Sequence, residues 1–167
     1  MPTADGSHPE FRVGIGYDSH RFGSGDAVIL GGVRIPAAHT LVGHSDADAI
    51  AHAVTDALLG AAALGDIGAL FPDTDPANRG RDSIAMLGAA VQRVREAGWV
   101  PGNVDITVVC EEPKIGPHRN AIRARLAAAI GCDIDSVSVK GKTNEGMGWI
   151  GRNEGIAVVA VATVARR

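Results

Sequence analysis

The stretch His44-Ser45-Asp46-Ala47-Asp48-Ala49-Ile50-Ala51-His52 decides the fold, because it marks the start of a long alanine-rich helix. Ser45 and Asp48 have the spacing of a capping box, in which the serine oxygen accepts a hydrogen bond from a free backbone N–H and the carboxylate reaches back. Alanine and leucine favour helix in the residues that follow. The pattern therefore predicts a capped helix from about residue 46 to residue 63 or 64, ended by a glycine at 65.

Three polar residues recur at a spacing of four within this helix. Asp48, His52 and Asp56 would project near one face, where two carboxylates and an imidazole share a stripe. Such groups are costly to bury unless a cation or a substrate interacts with them. The stripe therefore predicts a functional role for this helix.

The composition of the whole chain narrows the class of protein. The chain has 167 residues, a net charge of −3, and no basic run, which argues against nucleic acid as a partner. No apolar run is long enough to cross a bilayer, and residues 1–10 lack the apolar segment of a signal peptide. We therefore predict a cytoplasmic protein with a disordered leader at residues 1–10 and a single domain at residues 11–167.

Alternation and helical periodicity predict the other elements. Helices are predicted at residues 82–97 and from Pro117 to residue 130, with loops at residues 66–76 and 141–155. Strands are predicted at residues 11–17, 104–110, 136–140 and 156–164, with a glycine-turn hairpin at 28–35. The last strand is apolar on both faces, which predicts a cover on both sides, inside the sheet or from another subunit. The order predicts an α+β fold with a mixed sheet and helices packed mainly on one face.

A metal site is the first candidate for chemistry. Asp18 and His20 are two residues apart on a predicted extended segment, so they point to the same side. With His52 they supply three nitrogen and oxygen ligands and leave the open fourth position of a catalytic zinc site. The alternative is a surface turn with incidental polar residues, because spacing alone does not bring residues 18 and 52 together.

Local sequence leaves several other residues open. Lys142, Thr143, Asn144 and Glu145 lie in a glycine-rich loop that could hold phosphate or a divalent cation, or could be an ordinary flexible loop. His44 fits a solvated residue, a general acid or base, or a phosphate contact. The aspartates of the 66–75 region are turn-formers or ligands, and local sequence does not separate the two readings.

Five segments together carry a resemblance to a known family. They are Gly-Tyr-Asp-Ser-His-Arg-Phe at 16–22, Gly-Gly-Val-Arg-Ile-Pro at 31–36, His-Ser-Asp-Ala-Asp at 44–48, Thr-Asp-Ala-Leu-Leu-Gly-Ala-Ala-Ala-Leu-Gly-Asp-Ile-Gly at 55–68, and Phe-Pro-Asp-Thr-Asp-Pro at 71–76. In this order they resemble the 2-C-methyl-D-erythritol 2,4-cyclodiphosphate synthase family, and the match runs from about residue 11 to residue 164.

The resemblance implies a metal-dependent phosphorus–oxygen lyase of non-mevalonate isoprenoid biosynthesis. Such an enzyme converts 4-diphosphocytidyl-2-C-methyl-D-erythritol 2-phosphate to 2-C-methyl-D-erythritol 2,4-cyclodiphosphate and releases CMP. The resemblance also implies a homotrimer with active sites between subunits. A zinc- and nucleotide-binding sensor and a metal-dependent phosphohydrolase with a linear product are the rival readings of the same residues.

Residue roles follow from the same resemblance. It implies that Asp18, His20 and His52 bind zinc, that His44 and Thr143 stabilise the transition state, and that Glu145 binds a second divalent cation, Mg²⁺ or Mn²⁺. The implied substrate contacts cover a mobile loop, a methylerythritol phosphate segment, a cytidine pocket and a trimer-axis cavity for an isoprenoid diphosphate. They are Asp18, His20, His44, Ser45, Asp66, Ile67, Gly68, Phe71, Pro72, Asp73, Thr74, Asp75, Cys110, Glu111, Glu112, Pro113, Lys114, Ile115, Gly116, Lys142, Thr143, Asn144, Glu145, Trp149 and Arg152.

The chain departs from the family pattern at two places. Lys142-Thr143-Asn144 stands where the family often has a run of threonines, so the cytidine contacts are expected to differ. Trp149 replaces the commoner phenylalanine that, with Arg152, lines the axis cavity.

Overall fold

A computed structural model describes residues 10–72 and 74–166 of the protein. The predicted leader therefore lies outside the described residues, apart from Glu10. The backbone oxygen of Glu10 accepts a hydrogen bond from the N–H of Arg166 at 3.0 Å, next to the two terminal strands. That residues 11–167 form a single domain stays a prediction.

A mixed five-stranded sheet forms the centre of the fold. The strands are β1 Phe11–Gly23, β2 Ala27–Leu30, β3 Val33–Pro36, β4 Thr40–Leu41, β5 Val100–Val109, β6 Val137–Lys142 and β7 Gly155–Ala165. The order is β4-β1-β7-β5-β6, and β2 and β3 form a separate hairpin. Strands β5 and β6 are parallel, whereas the other pairs in the sheet are antiparallel. The predicted mixed sheet is confirmed.

Five helices accompany the sheet in the part of the chain that the structure describes. They are α1 Ala49–Ala61, α2 Ile67–Leu70, α3 Ser83–Glu96, α4 Arg119–Ile130 and α5 Gly148–Gly151, with short 3-10 turns at Pro76–Asn78, Gly116–His118 and Ile134–Ser136. Helix α1 packs on β1 and β7, α3 packs on α1, and α4 packs on α3 and β6. The α+β class is confirmed. The predicted loops at 66–76 and 141–155 were wrong in part, because each contains a helical turn too short to show helical periodicity.

Two glycines let α1 approach β1 very closely. A Cβ at Gly16 would lie 2.8 Å from the carbonyl carbon of Ala53 and nearer still to its oxygen. A Cβ at Gly14 would lie 3.0 Å from the Cα of Ala61 and would overlap the oxygen of Ala57. Backbone thus packs on backbone, because neither glycine has a side chain to hold the helix away.

The predicted capping box is wrong, and the helix begins three residues later. Asp48 is the N-cap of α1, and its carboxylate accepts from the first-turn N–H groups at 3.1 Å. The same carboxylate accepts from Gly31 and Gly32 at 2.8 and 2.6 Å, so it also holds the β2–β3 turn. Asp48 is fully buried, and burial raises its pKa to about 6 against the effect of these hydrogen bonds. Ser45 instead contacts His52.

The face of the sheet opposite the helices is partly open. On this face of β7, Ala157 is buried but Val161 is 37% exposed. The prediction that both faces of the strand are covered therefore holds within this chain only for the face that packs on the helices. Within the described residues, no helix has both the length and the apolar character needed to cross a membrane.

Candidate metal centre and substrate pocket

A cluster of three polar side chains lies where α1 crosses β1. The Oδ2 atom of Asp18 is 2.9 Å from Nε2 of His20 and 3.1 Å from Nδ1 of His52, and the two nitrogens are 3.4 Å apart. The prediction that residues 18 and 52 meet is therefore confirmed. The predicted strand end is wrong, because β1 continues to Gly23 and both Asp18 and His20 lie inside it.

Hydrogen bonds on the far side of the cluster orient these ligand atoms inward. The Nδ1 atom of His20 lies 2.8 Å from the carbonyl oxygen of Val42, which can only accept, so this nitrogen carries the proton. The Nε2 atom of His52 lies 2.8 Å from Oγ of Ser83. The inward atoms of the two rings are then lone pairs facing a carboxylate. Either a proton shared with Asp18 or a metal cation can lie between these acceptors, and an Asp-His-His set of this kind fits a zinc ion.

The side chains of the cluster also interact electrostatically. Burial disfavours the charged form of both Asp18 and His20, but hydrogen bonds and the attraction of opposite charges within the site together outweigh burial, lowering the pKa of Asp18 and raising that of His20. Among the described residues, Asp18, His20 and His52 are the one group of three ligand types whose donor atoms all lie within 4.8 Å.

The predicted stripe on α1 separates in the structure. His52 joins the cluster, whereas Asp48 caps the helix and Asp56 accepts a hydrogen bond from the N–H of Ile67 at 2.7 Å. Partial burial raises the pKa of Asp56. Asp56 thus anchors the start of α2 beside the metal cluster, and the stripe is not one functional surface.

A cavity of about 390 Å³ opens beside the cluster. Five of the predicted substrate contacts line it together with the three cluster residues: His44, Ser45, Ile67, Gly68 and Phe71. Sequence reasoning missed four further lining residues, none of which carries a ligand-type signal: Val42, Gly43, Asn78 and Met86.

The other predicted residues of the methylerythritol segment that the structure describes do not line this cavity. The carboxylate of Asp66 accepts from the N–H of Ala69 at 2.8 Å, and that of Asp75 accepts from Ala77 at 2.9 Å. Both aspartates therefore act as local caps, as the turn-former reading expected. Thr74 and Asp75 line a neighbouring cavity with His44, Pro72 is exposed, and Asp73 lies outside the described residues.

A second cavity of about 330 Å³ lies between the ends of β5 and β6. It is lined by the predicted residues Cys110, Pro113, Lys114, Ile115, Gly116, Lys142 and Thr143, and by Pro117, Arg119 and Gly141, which sequence reasoning missed. Glu111, Glu112, Asn144 and Glu145 are not among its lining residues. The charge of Arg119 close to the Lys114 segment was the signal that could have found it.

Glu111 holds the loop that follows β6 through hydrogen bonds from two of its backbone N–H groups. Its Oε1 accepts from the N–H of Asn144 at 2.9 Å and from that of Gly146 at 3.3 Å. Between them Glu145 adopts a left-handed backbone, with φ of 52°, and its carboxylate accepts from Oγ1 of Thr143 at 3.1 Å. A non-glycine residue in this conformation costs free energy that neighbouring contacts must offset.

Within one chain the metal cluster and the Thr143–Glu145 loop are far apart. Asp18 pairs with Val158, Val158 with Val108, and Val108 with Gly141 across the sheet. Three inter-strand spacings separate the first and last of these residues, about 14 Å. No residue lines both cavities.

The residues predicted for an axis cavity lie on a third surface. Trp149 is 38% exposed and lines a cavity of about 830 Å³ with His39 and Glu154. Arg152 is not among its lining residues, and its Nε atom lies 2.6 Å from Oε1 of Glu154.

Known proteins are similar to this chain over nearly its whole length. The chain is 65% identical over 153 residues to 2-C-methyl-D-erythritol 2,4-cyclodiphosphate synthase from Gemmatimonas aurantiaca, covering 92% of each chain. It is 60% identical over 156 residues to the enzyme of that name from Bordetella petrii, covering 93% of this chain and 96% of the relative.

Solved structures share the fold. The IspF protein of Plasmodium falciparum in a CDP complex matches with a TM-score of 0.83 and 34% identity over 96% of this chain and 99% of that one. The bifunctional IspDF protein of Campylobacter jejuni matches with a TM-score of 0.92 and 39% identity over 96% of this chain and 44% of that longer one. The YgbB family model matches residues 11–165, and the chain therefore belongs to the YgbB family, that of the 2-C-methyl-D-erythritol 2,4-cyclodiphosphate synthases.

Proposed function

We propose that the cavity beside Asp18, His20 and His52 is where this chain performs the reaction of its family. That reaction is the synthesis of 2-C-methyl-D-erythritol 2,4-cyclodiphosphate in non-mevalonate isoprenoid biosynthesis. The observation that carries the assignment is the convergence of three inward-facing ligand atoms at the wall of a cavity of about 390 Å³.

The substrate, 4-diphosphocytidyl-2-C-methyl-D-erythritol 2-phosphate, contains both reacting groups. An oxygen of its 2-phosphate forms a bond to the β-phosphorus, and the bond from that phosphorus to the oxygen of CMP breaks. CMP leaves with the electron pair, and an eight-membered cyclic diphosphate remains. Because nucleophile and electrophile belong to one substrate molecule, the protein mainly has to orient that substrate and neutralise its phosphate charge.

The residues of the site divide these tasks. Asp18, His20 and His52 would hold a zinc ion, which when bound supplies a Lewis acid for phosphate oxygens. His44 is exposed at the cavity wall, where its imidazole can donate to a phosphate oxygen. Thr143 supplies a hydroxyl for the same purpose, and Glu145 would hold the second cation, Mg²⁺ or Mn²⁺.

The second cavity suits the cytidine part of the substrate. Its lining includes residues between Cys110 and Gly116 and the lysine Lys142. The solved structure from Plasmodium falciparum is a CDP complex, which supports a nucleotide site in a fold of this kind. On this proposal the methylerythritol phosphate lies against Ile67, Gly68 and Phe71, close to the metal cluster.

We further propose a homotrimer in which neighbouring subunits complete each site. The 14 Å estimated between the cluster and the 143–145 loop leaves one chain without a compact two-cation centre. On the open face of β1 four apolar side chains form an exposed stripe: Phe11, Val13, Ile15 and Tyr17, each between 58% and 69% exposed. A contiguous apolar stripe of this size is typical of a subunit interface.

The axis cavity of the proposed trimer would bind an isoprenoid diphosphate. Trp149 offers an apolar wall and Arg152 a cation, although Arg152 must first leave Glu154. Stabilisation of the wild-type protein by geranyl diphosphate, absent in Arg152→Ala, would support this assignment. Equal thermal shifts in both proteins would contradict it.

The activity is tested with the purified protein, the cytidyl substrate and Mg²⁺. We expect stoichiometric CMP release and a phosphorus NMR spectrum of a cyclic diphosphate. A linear phosphate product would indicate a phosphohydrolase, and absence of CMP would indicate a binding protein.

Mixing two inactive variants tests the shared site. His52→Ala lacks a ligand of the metal cluster, and Glu145→Gln lacks the ligand of the second cation. In a mixed trimer, a site is intact where the Glu145→Gln subunit supplies the metal cluster and the His52→Ala subunit supplies Glu145. Random reassembly then restores about a quarter of wild-type activity, because each of the two positions at an interface is intact half the time. No recovery after subunit exchange would show that one chain supplies both parts.

A further inference from the structure

A chain of three polar side chains behind the metal cluster is not explained by substrate binding. The Nε2 atom of His52 lies 2.8 Å from Oγ of Ser83, and Oγ of Ser83 in turn donates a hydrogen bond to Oδ1 of Asp46. The other oxygen of Asp46 accepts from the backbone N–H of Ser83 at 3.1 Å. Asp46 and Ser83 are 37 residues apart, so this pairing is created by the fold.

The direction of these hydrogen bonds follows from the donors available. A carboxylate only accepts, so the single hydroxyl proton of Ser83 is directed to Asp46. Ser83 then has only lone pairs to offer to His52, and Oγ of Ser45, which lies 3.0 Å from the same nitrogen, can also accept, so both neighbours suit an Nε2 atom of His52 that carries the ring proton. The Nδ1 atom of His52 is left with a lone pair, and this is the atom that faces Asp18 and His20.

We infer that Asp46 and Ser83 are positioning residues that hold His52 in the ring orientation and tautomer that bind the metal. The inference rests on the proposed zinc site. Ligating histidines commonly use their second nitrogen in this way, and changes to such partners lower metal affinity or activity by about 10- to 100-fold. Ser83 is fully buried and therefore cannot exchange its role with water.

The same contacts connect the metal ligand to the substrate loop. The backbone oxygen of His44 accepts from the N–H of Gly80 at 2.9 Å. His44 lies two residues before Asp46, which accepts from Ser83. Ser83 at the start of α3 therefore contacts His52, and Gly80 in the turn before α3 binds the segment that carries His44. Asp46 and Ser83 touch neither the substrate part of the cavity nor the inward metal ligand atoms, so they are positioning and not catalytic residues.

The experiment compares zinc affinity by chelator competition in the wild type, Asp46→Asn and Ser83→Ala. Asparagine at position 46 can donate its amide to Ser83, which reverses the chain and puts the ring proton on Nδ1 of His52. We expect a 10- to 100-fold loss of zinc affinity in both variants. The matched control is Asp82→Asn, which makes the same chemical change beside Ser83 but only caps α3, a role asparagine fills equally well.

A ¹⁵N NMR measurement of the zinc-free proteins separates positioning from general loss of structure. We expect the Nε2–H tautomer of His52 in the wild type and a shift toward Nδ1–H in Asp46→Asn. His20 is the internal reference, because its tautomer depends on Val42 and not on Asp46. Loss of the Nδ1–H tautomer of His20 in Asp46→Asn would indicate lost structure and overturn the assignment.

Wild-type zinc affinity and tautomer in Asp46→Asn and Ser83→Ala would also overturn the inference while leaving the proposed function intact. Zinc binding by the wild type without CMP release would contradict the proposed function alone. A wild type that binds no zinc would contradict both.

Discussion

Replacing Gly16 by alanine tests whether backbone packing of α1 on β1 creates the metal centre. A Cβ at this position would lie 2.8 Å from the carbonyl carbon of Ala53, the residue after His52, and closer still to its oxygen. These atoms belong to the backbone of a helix, so no rotamer change relieves the overlap. The helix must withdraw from the strand by roughly 1 Å to restore an ordinary contact.

The expected loss of zinc affinity follows from two distances. Nδ1 of His52 is 3.1 Å from Oδ2 of Asp18, and a withdrawal of this size separates ligands that zinc needs within about 0.2 Å of their proper places. We expect zinc affinity to fall by about 100-fold. Overpacking that cannot relax also costs about 3 kcal/mol, the upper part of the usual range, in the free energy of unfolding.

Urea unfolding and chelator competition measure the two effects, with two further variants as controls. Gly60→Ala lies on the same helix, where the nearest atom, the oxygen of Ile15, would be 4.0 Å from the new Cβ. We expect it to stabilise the protein by about 0.5–1 kcal/mol and to leave zinc affinity unchanged. Gly14→Ala meets Ala57 and Ala61, farther from His52, so it should lower stability as Gly16→Ala does but disturb zinc less. Wild-type stability and zinc affinity in Gly16→Ala would refute the reasoning.

Three further predictions concern other residues. His52→Ala should lose zinc and CMP release together, with zinc affinity down by more than roughly 100-fold, because a ligand and not merely its partner is removed; full activity in metal-stripped protein would contradict this role. Asp48→Asn should lower the free energy of unfolding at pH 8 by about 2–3 kcal/mol, since an amide cannot accept from Gly32 and from the first turn of α1 at once. The melting temperature should then fall by roughly 4–12 °C, and an unchanged melting curve would rule out the double role of Asp48. Burial raises the pKa of Cys110 to about 11, so its thiol stays protonated at pH 8. A disulfide reagent should therefore modify the more exposed Cys132 first, which peptide mapping would show, and faster modification of Cys110 would contradict this prediction.

The metal ligands illustrate how far sequence reasoning reaches. The spacing of two residues correctly predicted that Asp18 and His20 share a side of one strand. It could not bring His52 to them, because that depends on how closely a helix packs on a strand 32 to 34 residues away. The resemblance to a family supplied this link before the structure did. The glycines that permit the close approach have no side-chain pattern that periodicity could detect.

Asp46 and Ser83 show where sequence reasoning fails. Asp46 was visible only as part of a helix start, and Ser83 only as the beginning of α3. Their role depends on a hydrogen bond between residues far apart in the chain, and hydrogen-bond partners at such separation have no sequence period.

The sequence by itself determined the segments of this protein: its strands, its main helices, the glycine hairpin, and the motif order that identifies its family. Those features depend on side-chain periodicity and turn chemistry, which act over a few residues. Only the tertiary structure decided which polar groups meet. At the helix start, Ser45 and Asp48 fit a local cap, yet Asp48 holds a hairpin turn and Ser45 faces His52. The reason is that a polar side chain takes the best hydrogen-bond partners within reach, and in the folded chain those partners come from distant strands and helices.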